Sequence, residues 1–194
     1  MPSLFRLGAA LALTLFAFGA AFASEATDLV EKYAAAIRVQ NFSVAAGYVK
    51  PQDLADFKAS FMPIYAAEVK EGVRGFLDAT FGEQAKPEAA TEATPAAFFA
   101  HVMGFVFNLG DIQRKRLEVV DTKVLGEVAE GLSLVHVVVR NELKIGATRT
   151  SRVEVISAEK TGAAWQVLLP EKLRMLASIM ERQLATRKLA TPAN

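Results

Sequence analysis

The chain of 194 residues contains no cysteine. That absence excludes disulfides, a thioether lipid anchor of the bacterial lipoprotein type, thiol catalysis and every thiolate metal site. Histidine is almost as scarce. His101 and His136 have no close-spaced partner and no H-E-x-x-H pattern surrounds them, so no zinc ligand set is legible. There is no phosphate-binding glycine loop, no G-x-S-x-G and no paired-aspartate calcium loop. An excess of one charge is missing too. Removing residues 1–23 takes away Arg6 and no acid, which leaves 21 basic residues against 21 acidic ones. A chain so balanced lacks the basic surplus that general affinity for nucleic acid or anionic membrane requires.

Long hydrophobic runs are absent except at the start. Arg6 precedes a run from Leu7 to Phe22 built of Leu, Ala, Phe and Gly with a single Thr and no charge. As a helix it would span roughly 24 Å, short of the ~30 Å bilayer core. Ala21-Phe22-Ala23 then offers the small residues a signal peptidase accepts before Ser24. The segment therefore reads as a signal peptide over 1–23, cleaved near Ala23-Ser24. The product is expected to be periplasmic or secreted, with no stable membrane anchor after cleavage. About 171 residues remain, enough for one ordinary domain that buries a core without disulfides.

The remainder divides into a helical half and a strand half. Thr27 is placed to cap a first helix, with Asp28 and Glu31 in its first turn and Leu29, Val30, Tyr33, Ala36 and Ile37 on one face. Asn41 breaks it, and a short segment over 42–49 follows. Pro51 suits the first turn of a second helix with Leu54, Phe57, Phe61 and Tyr65 as its stripe, and Pro63 is expected to kink or interrupt it. Val69, Val73, Phe76, Leu77 and Phe81 continue the helical period to Gly82. Residues 83–94, rich in Ala, Glu and Pro, read as an exposed connector. Thr94-Pro95 then gives an N-cap and first turn for a helix with Phe98, Phe99, Val102, Phe105 and Val106 inward, ending at Asn108–Gly110.

Past Gly110 the period changes to two. Strands are expected over 116–124, 132–143, 148–158 and 164–169, with turns at Glu130-Gly131, Ile145-Gly146-Ala147 and Lys160-Thr161-Gly162. Pro170 stops the last strand, and a helix from Glu171 places Leu173, Leu176, Ile179, Met180 and Leu184 on one side. The pattern predicts an α+β fold: N-terminal helices packed on a curved four-stranded antiparallel sheet, with a C-terminal helix. The domain is expected over 24–181 and a tail over 182–194.

Several stretches carry a resemblance. Asp28-Leu-Val-Glu-Lys-Tyr33, the Asn41-Phe42-Ser43 break and Pro51-Gln-Asp-Leu-Ala55 are similar to the start of NTF2-like (cone-shaped α+β) domains. Thr94-Pro-Ala-Ala-Phe-Phe99, Val124-Leu-Gly-Glu-Val-Ala-Glu-Gly131, His136-Val-Val-Val-Arg140 and Ala164-Trp-Gln-Val-Leu-Leu169 look like the exported, uncharacterised members of that superfamily. The resemblance covers most of residues 25–180, and its motifs are structural. It implies a bent sheet wrapped around helices with a pocket between them. The superfamily includes isomerases, dehydratases and interaction modules, so the fold alone selects no function.

The candidates for that pocket are Tyr33, Phe98, His101, Phe105, Asp121, His136 and Trp165. His136 shares strand parity with Leu132, Leu134 and Val138, against Val135, Val137 and Val139. It is either a general base or ligand partner if that face lines the pocket, or a hydrogen-bonded strand histidine. His101 lies near the apolar face of its helix. Isomerase-like members use a pocket carboxylate with a phenolic or acidic donor. Here the strand acids are Glu118, Asp121 and Glu154 and the tyrosines are Tyr33, Tyr48 and Tyr65, none in an alignable pair. Glu154, between Val153 and Val155, is expected on a solvated face beside Arg152 or Arg149. The phenylalanines of the helical half serve either an apolar cavity or core packing, and Trp165 shares that ambiguity. Two basic clusters, at 114–116 and at Arg182, Arg187 and Lys188, read as solvated surface. The expected function is a non-enzymatic binding or accessory module for a hydrophobic small molecule or a protein partner. No catalytic residue, metal or cofactor is assigned, and no nucleic acid is expected. The alternatives are a small pocket isomerase or lyase acting by proton transfer through His136 or Asp121, and a homodimer packed through outer sheet faces.

Overall fold

The computed structural model describes residues 25–112 and 117–182. The expected signal peptide, Leu184 and nearly all of the expected tail lie outside these. Helix α1 occupies residues 25–38 and buries Val30, Tyr33 and Ala36 on one side. Thr27 sits within this helix rather than at its cap, and its hydroxyl donates to Glu127 of the sheet at an exposed position. Asn41 ends the turn that follows and caps α2 (Phe42–Ala46), its side chain accepting from the Val44 N–H.

Helix α3 (Pro51–Glu71) runs unbroken through Pro63, contrary to the expected interruption. Phe61, Ile64 and Tyr65 are all buried, so both turns around the proline are anchored on the core and packing outweighs the lost backbone bond. The break comes instead at Gly72, whose left-handed conformation ends the helix. Val69 and Val73, expected to continue the apolar stripe, are exposed. Helix α4 (Gly75–Phe81) starts afresh, and its first N–H groups are held by a side chain of α3. Glu68, itself buried, accepts from Phe76 N–H at 2.6 Å and Leu77 N–H at 3.0 Å. A carboxylate at the positive end of a short helix satisfies donors that would otherwise be stranded in the core.

The connector over 83–94 is largely exposed yet tied at several points. It contains a single turn, α5 (Ala89–Glu92), with Ala90 fully buried. Lys58 Nζ donates to the Thr91 and Ala93 carbonyls, and Arg74 to those of Glu83 and Ala85. Thr94 caps α6 (Pro95–Ile112) through its hydroxyl and the Ala97 N–H. This helix passes the expected stop at Asn108–Gly110, since one helical glycine costs only about 1 kcal/mol.

Strands β1 (Leu117–Glu130), β2 (Leu134–Ile145), β3 (Thr148–Thr161) and β4 (Ala164–Val167) form an antiparallel meander in the order β1-β2-β3-β4. β1 and β3 run further than their periodicity suggested, β2 is shifted two residues later at the same length, β4 is shorter, and Leu132 sits on an exposed turn. Two register shifts interrupt the β1–β2 pairing, between Val119 and Asp121 and between Val124 and Gly126. The pairing of β2 with β3 has none. Val49 adds a single parallel bridge to the outer side of β4 at Val167. After Pro170 come the short α7 (Glu171–Arg174), a turn at Met175, and α8 over 176–182. The α+β architecture is the one the sequence predicts.

The core lies between the helices and the inner sheet face, where Val135, Val137, Val139, Ile156, Ala158 and Val167 are buried. Its densest part is aromatic. Phe57, Phe61, Phe76, Tyr65, Phe81 and Phe98 pack ring against ring with centroids 4.9–6.3 Å apart.

Candidate functional site

A half-open cavity of about 1150 Å³ lies beside that aromatic cluster, between α1, α6, the inner sheet face and the segment 168–178. Its walls are mainly apolar: Ile37 from α1, Met103, Val106 and Phe107 from α6, Leu143 from β2, Leu173 and Met175 from the C-terminal segment. A polar strip crosses the sheet floor. Thr122 Oγ1 donates to Asn141 Oδ1 at 2.7 Å, which turns the Asn141 amide nitrogen toward Glu154, 3.2 Å away. Glu154 also takes Arg152 Nε at 3.2 Å and the Lys172 ammonium, so its charge is compensated inside the cavity.

Glu154 is the residue that sequence reasoning put on the wrong face. Its side chain is only 22% exposed, whereas Val153 and Val155 are each 55% exposed on the outside. Two β-branched neighbours suggested an inward pair. The deciding parity belongs to Ile156 and Ala158, which are buried on the Glu154 side. The expected pairing with Arg152 is present.

Tyr33 faces Glu154 across the cavity, and the residue is almost wholly buried. Burial first, and the Glu154 charge second, push its phenol far above its usual range. Its hydroxyl therefore stays protonated at any physiological pH and is a standing hydrogen-bond donor. No described residue accepts from it. Tyr65 is raised as well, chiefly by burial, and its hydroxyl sits 2.7 Å from Thr80 Oγ1. A raised phenol favours the folded state up to the ordinary value near pH 10, and that contribution drains away as pH rises above it. Ultraviolet titration is accordingly expected to show tyrosinate from Tyr33 and Tyr65 only together with loss of the folded signal. Normal, reversible ionisation of all three tyrosines near pH 10 in the folded protein would contradict this.

The other sequence candidates are placed as follows. His136 lies on the outer sheet face, 2.9 Å from both Ser157 Oγ and Glu130 Oε2. Asp121 is exposed and pairs with Arg38 at 3.4 Å. The first register shift in β1 falls just before it. His101 is exposed and stacks on Phe81, centroids 4.4 Å apart. Phe98 is fully buried in the aromatic cluster, and Phe105 is half-buried edge-on against Phe76. Trp165 packs in the core with the Lys160 ammonium 5.7 Å from its ring centre. Thus only Tyr33 of the seven lines the cavity, and His136 and Asp121 share no common pocket.

No protein-family model, curated protein or solved structure matches the chain. The site must be read on its own chemistry.

The segment closing one side of the cavity is pinned by Asp53 of α3. Its Oδ2 accepts the Leu169 N–H at 2.8 Å and the Arg174 guanidinium at 2.7 Å, and the same guanidinium side chain donates to the Leu169 carbonyl. Among the described residues no cluster of three histidine or acidic side chains is arranged to hold a metal, and no helix is long and apolar enough to cross a membrane. The arrangement offers shape, apolar contact, one buried donor and a charge-balanced polar floor.

Proposed function

We propose that the protein is an exported NTF2-like domain acting as a binding or accessory module, whose cavity takes a hydrophobic small molecule bearing a hydroxyl or carbonyl group. The observation that carries this reading is the buried Tyr33 donor in a largely apolar cavity. The volume suits a ligand of lipid or polycyclic size, since small-molecule sites commonly measure ~300–1,000 Å³. Such sites pair apolar walls with a few placed polar groups that fix orientation, and the strip from Thr122 to Glu154 supplies those beside Tyr33. Lys172, Arg152 and Asn141 all engage Glu154, which favours holding a ligand over abstracting its proton.

A solvatochromic fatty ketone tests the reading. It is expected to bind the purified protein with a blue-shifted emission, and Ile37→Trp, which fills the apolar end, is expected to abolish the shift. Tyr33→Phe removes one hydrogen bond and is expected to weaken binding about tenfold, equivalent to ~1.4 kcal/mol. Equal binding to both variants would sink the proposal.

One observation favours a second reading, in which Tyr33 and Glu154 facing one cavity run proton transfer on a small carbonyl substrate as an isomerase or lyase. Turnover lost on Glu154→Gln while probe binding persists would select it.

A further inference from the structure

Strand β3 is only half covered. β4 pairs with its last four residues, from Ala158 to Thr161, and Leu168 N–H adds one bond to the Ser157 carbonyl. From Thr148 to Glu154 no described residue pairs with its outer side. The direction of its free groups follows from its bonded ones. Lys160 N–H reaches Ser133 on the β2 side, whereas the Ser157 carbonyl addresses the opposite side. Odd-numbered residues of β3, Val153 among them, therefore present N–H and C=O to the open edge. The sheet's other edges are protected differently. β1 is broken by its two register shifts, and Val49 bridges the outer side of β4. The open stretch of β3 stays regular, without bulge or proline.

That edge is self-complementary. In an antiparallel pairing of two copies centred on Val153, each Val153 exchanges both backbone bonds with its equivalent. Arg152 then stands opposite the second copy's Glu154, and Glu154 opposite its Arg152, on the cavity side. These are non-hydrogen-bonded positions, where facing side chains come closest. On the outer side Val155 stands opposite Ser151 and the two Val153 side chains meet. Sliding the centre to residue 151 or 155 breaks both charge pairs. The outer sheet face is a poorer meeting surface, because polar side chains interrupt it: His136 with Glu130 and Ser157, and Lys123 opposite Arg140.

We propose that the protein forms a two-fold homodimer by joining the free edges of β3 around Val153 into one continuous sheet. The second copy's Arg152 and Glu154 would then border each cavity. This pairing differs from face-to-face packing of the outer sheet and does not depend on what the cavity binds.

Light scattering over a concentration series, with five variants, tests it. The unaltered protein is expected to reach twice the monomer mass. Val153→Pro removes an N–H that only the second copy would use, so it is expected to leave a folded monomer by circular dichroism. Arg152→Glu is expected to weaken dimerisation on the order of tenfold, and Arg152→Glu combined with Glu154→Arg to restore it. Val153→Cys is expected to form an intermolecular disulfide on mild oxidation, and Val128→Cys, on the outer face, is not. A monomer at millimolar concentration would overturn the proposal. So would a dimer indifferent to the charge reversal that cross-links through residue 128 rather than 153.

Discussion

Phe98→Ala is expected to lower the unfolding free energy by about 4 kcal/mol, the range for a buried phenylalanine truncated to alanine. Phe98 is fully buried, and four rings converge on it: Phe57 at 6.3 Å, Phe61 at 5.7 Å, Tyr65 at 5.9 Å and Phe81 at 6.0 Å between centroids. Three come from α3 and one from α4, so the ring holds α6 against both. Neighbours that are themselves rigid rings on separate helices collapse poorly into a void, which places the loss high in its range. Tm is expected to fall by roughly 8–16 °C for a domain of this size. Urea denaturation at unchanged m value checks it, and a loss below ~1 kcal/mol would mean that these rings border open space rather than a filled core.

Asp53→Ala is expected to cost about 2–3 kcal/mol and to loosen the cavity wall with it. The Leu169 N–H that it satisfies is buried and would be left without its acceptor. The Arg174 half of the arrangement is about half exposed, so water screens it and it adds little. The effect is local in a way that Phe98→Ala is not. Hydrogen exchange is expected to accelerate over 168–175 and to leave the β2–β3 ladder protected. Probe affinity should fall too, because Leu173 and Met175 lose their fixed positions on the wall. Asp53→Asn keeps the shape and one acceptor, and is expected to lose less. Unchanged exchange over 168–175 in Asp53→Ala would show that the segment is held by its apolar contacts alone.

Much of the fold was legible because local chemistry and tertiary packing agree. The change from helical to two-residue period just past α6 marks the boundary between layers, and turn glycines such as Gly131, with φ at +71°, sit where only a residue without Cβ is comfortable. Thr94-Pro95 announced the start of α6 for the same reason. The failures share a cause: burial is decided by what lies across the molecule. Glu68 and Asp53 look like ordinary helix-surface acids. Yet Glu68 falls three and four residues after Tyr65 and Ile64 on a buried stripe, a signal that a polar group there must find donors. Pro63 obeyed packing rather than propensity. The two β1 register shifts, which Val119-Val120 conceals, left the placement of Asp121 undecidable from alternation alone.

The cavity was the least legible feature. Of the aromatic candidates, the sequence could not separate rings that fill space from rings that border it, and Phe107 rather than Phe98 or Phe105 lines the void. Tyr33 was visible as part of an apolar stripe. Its hydroxyl becomes significant only because β3 brings Glu154 opposite, more than a hundred residues later, through a meander whose register no local pattern specifies.

Native mass spectrometry of the protein, purified gently from the cells that make it, decides whether the cavity holds a ligand. A stoichiometric apolar adduct bearing a hydroxyl or carbonyl is expected, released by organic extraction and absent from Ile37→Trp prepared in the same way. A protein that emerges empty from those cells, and stays empty when offered a lipid extract of them, would contradict the proposed binding role.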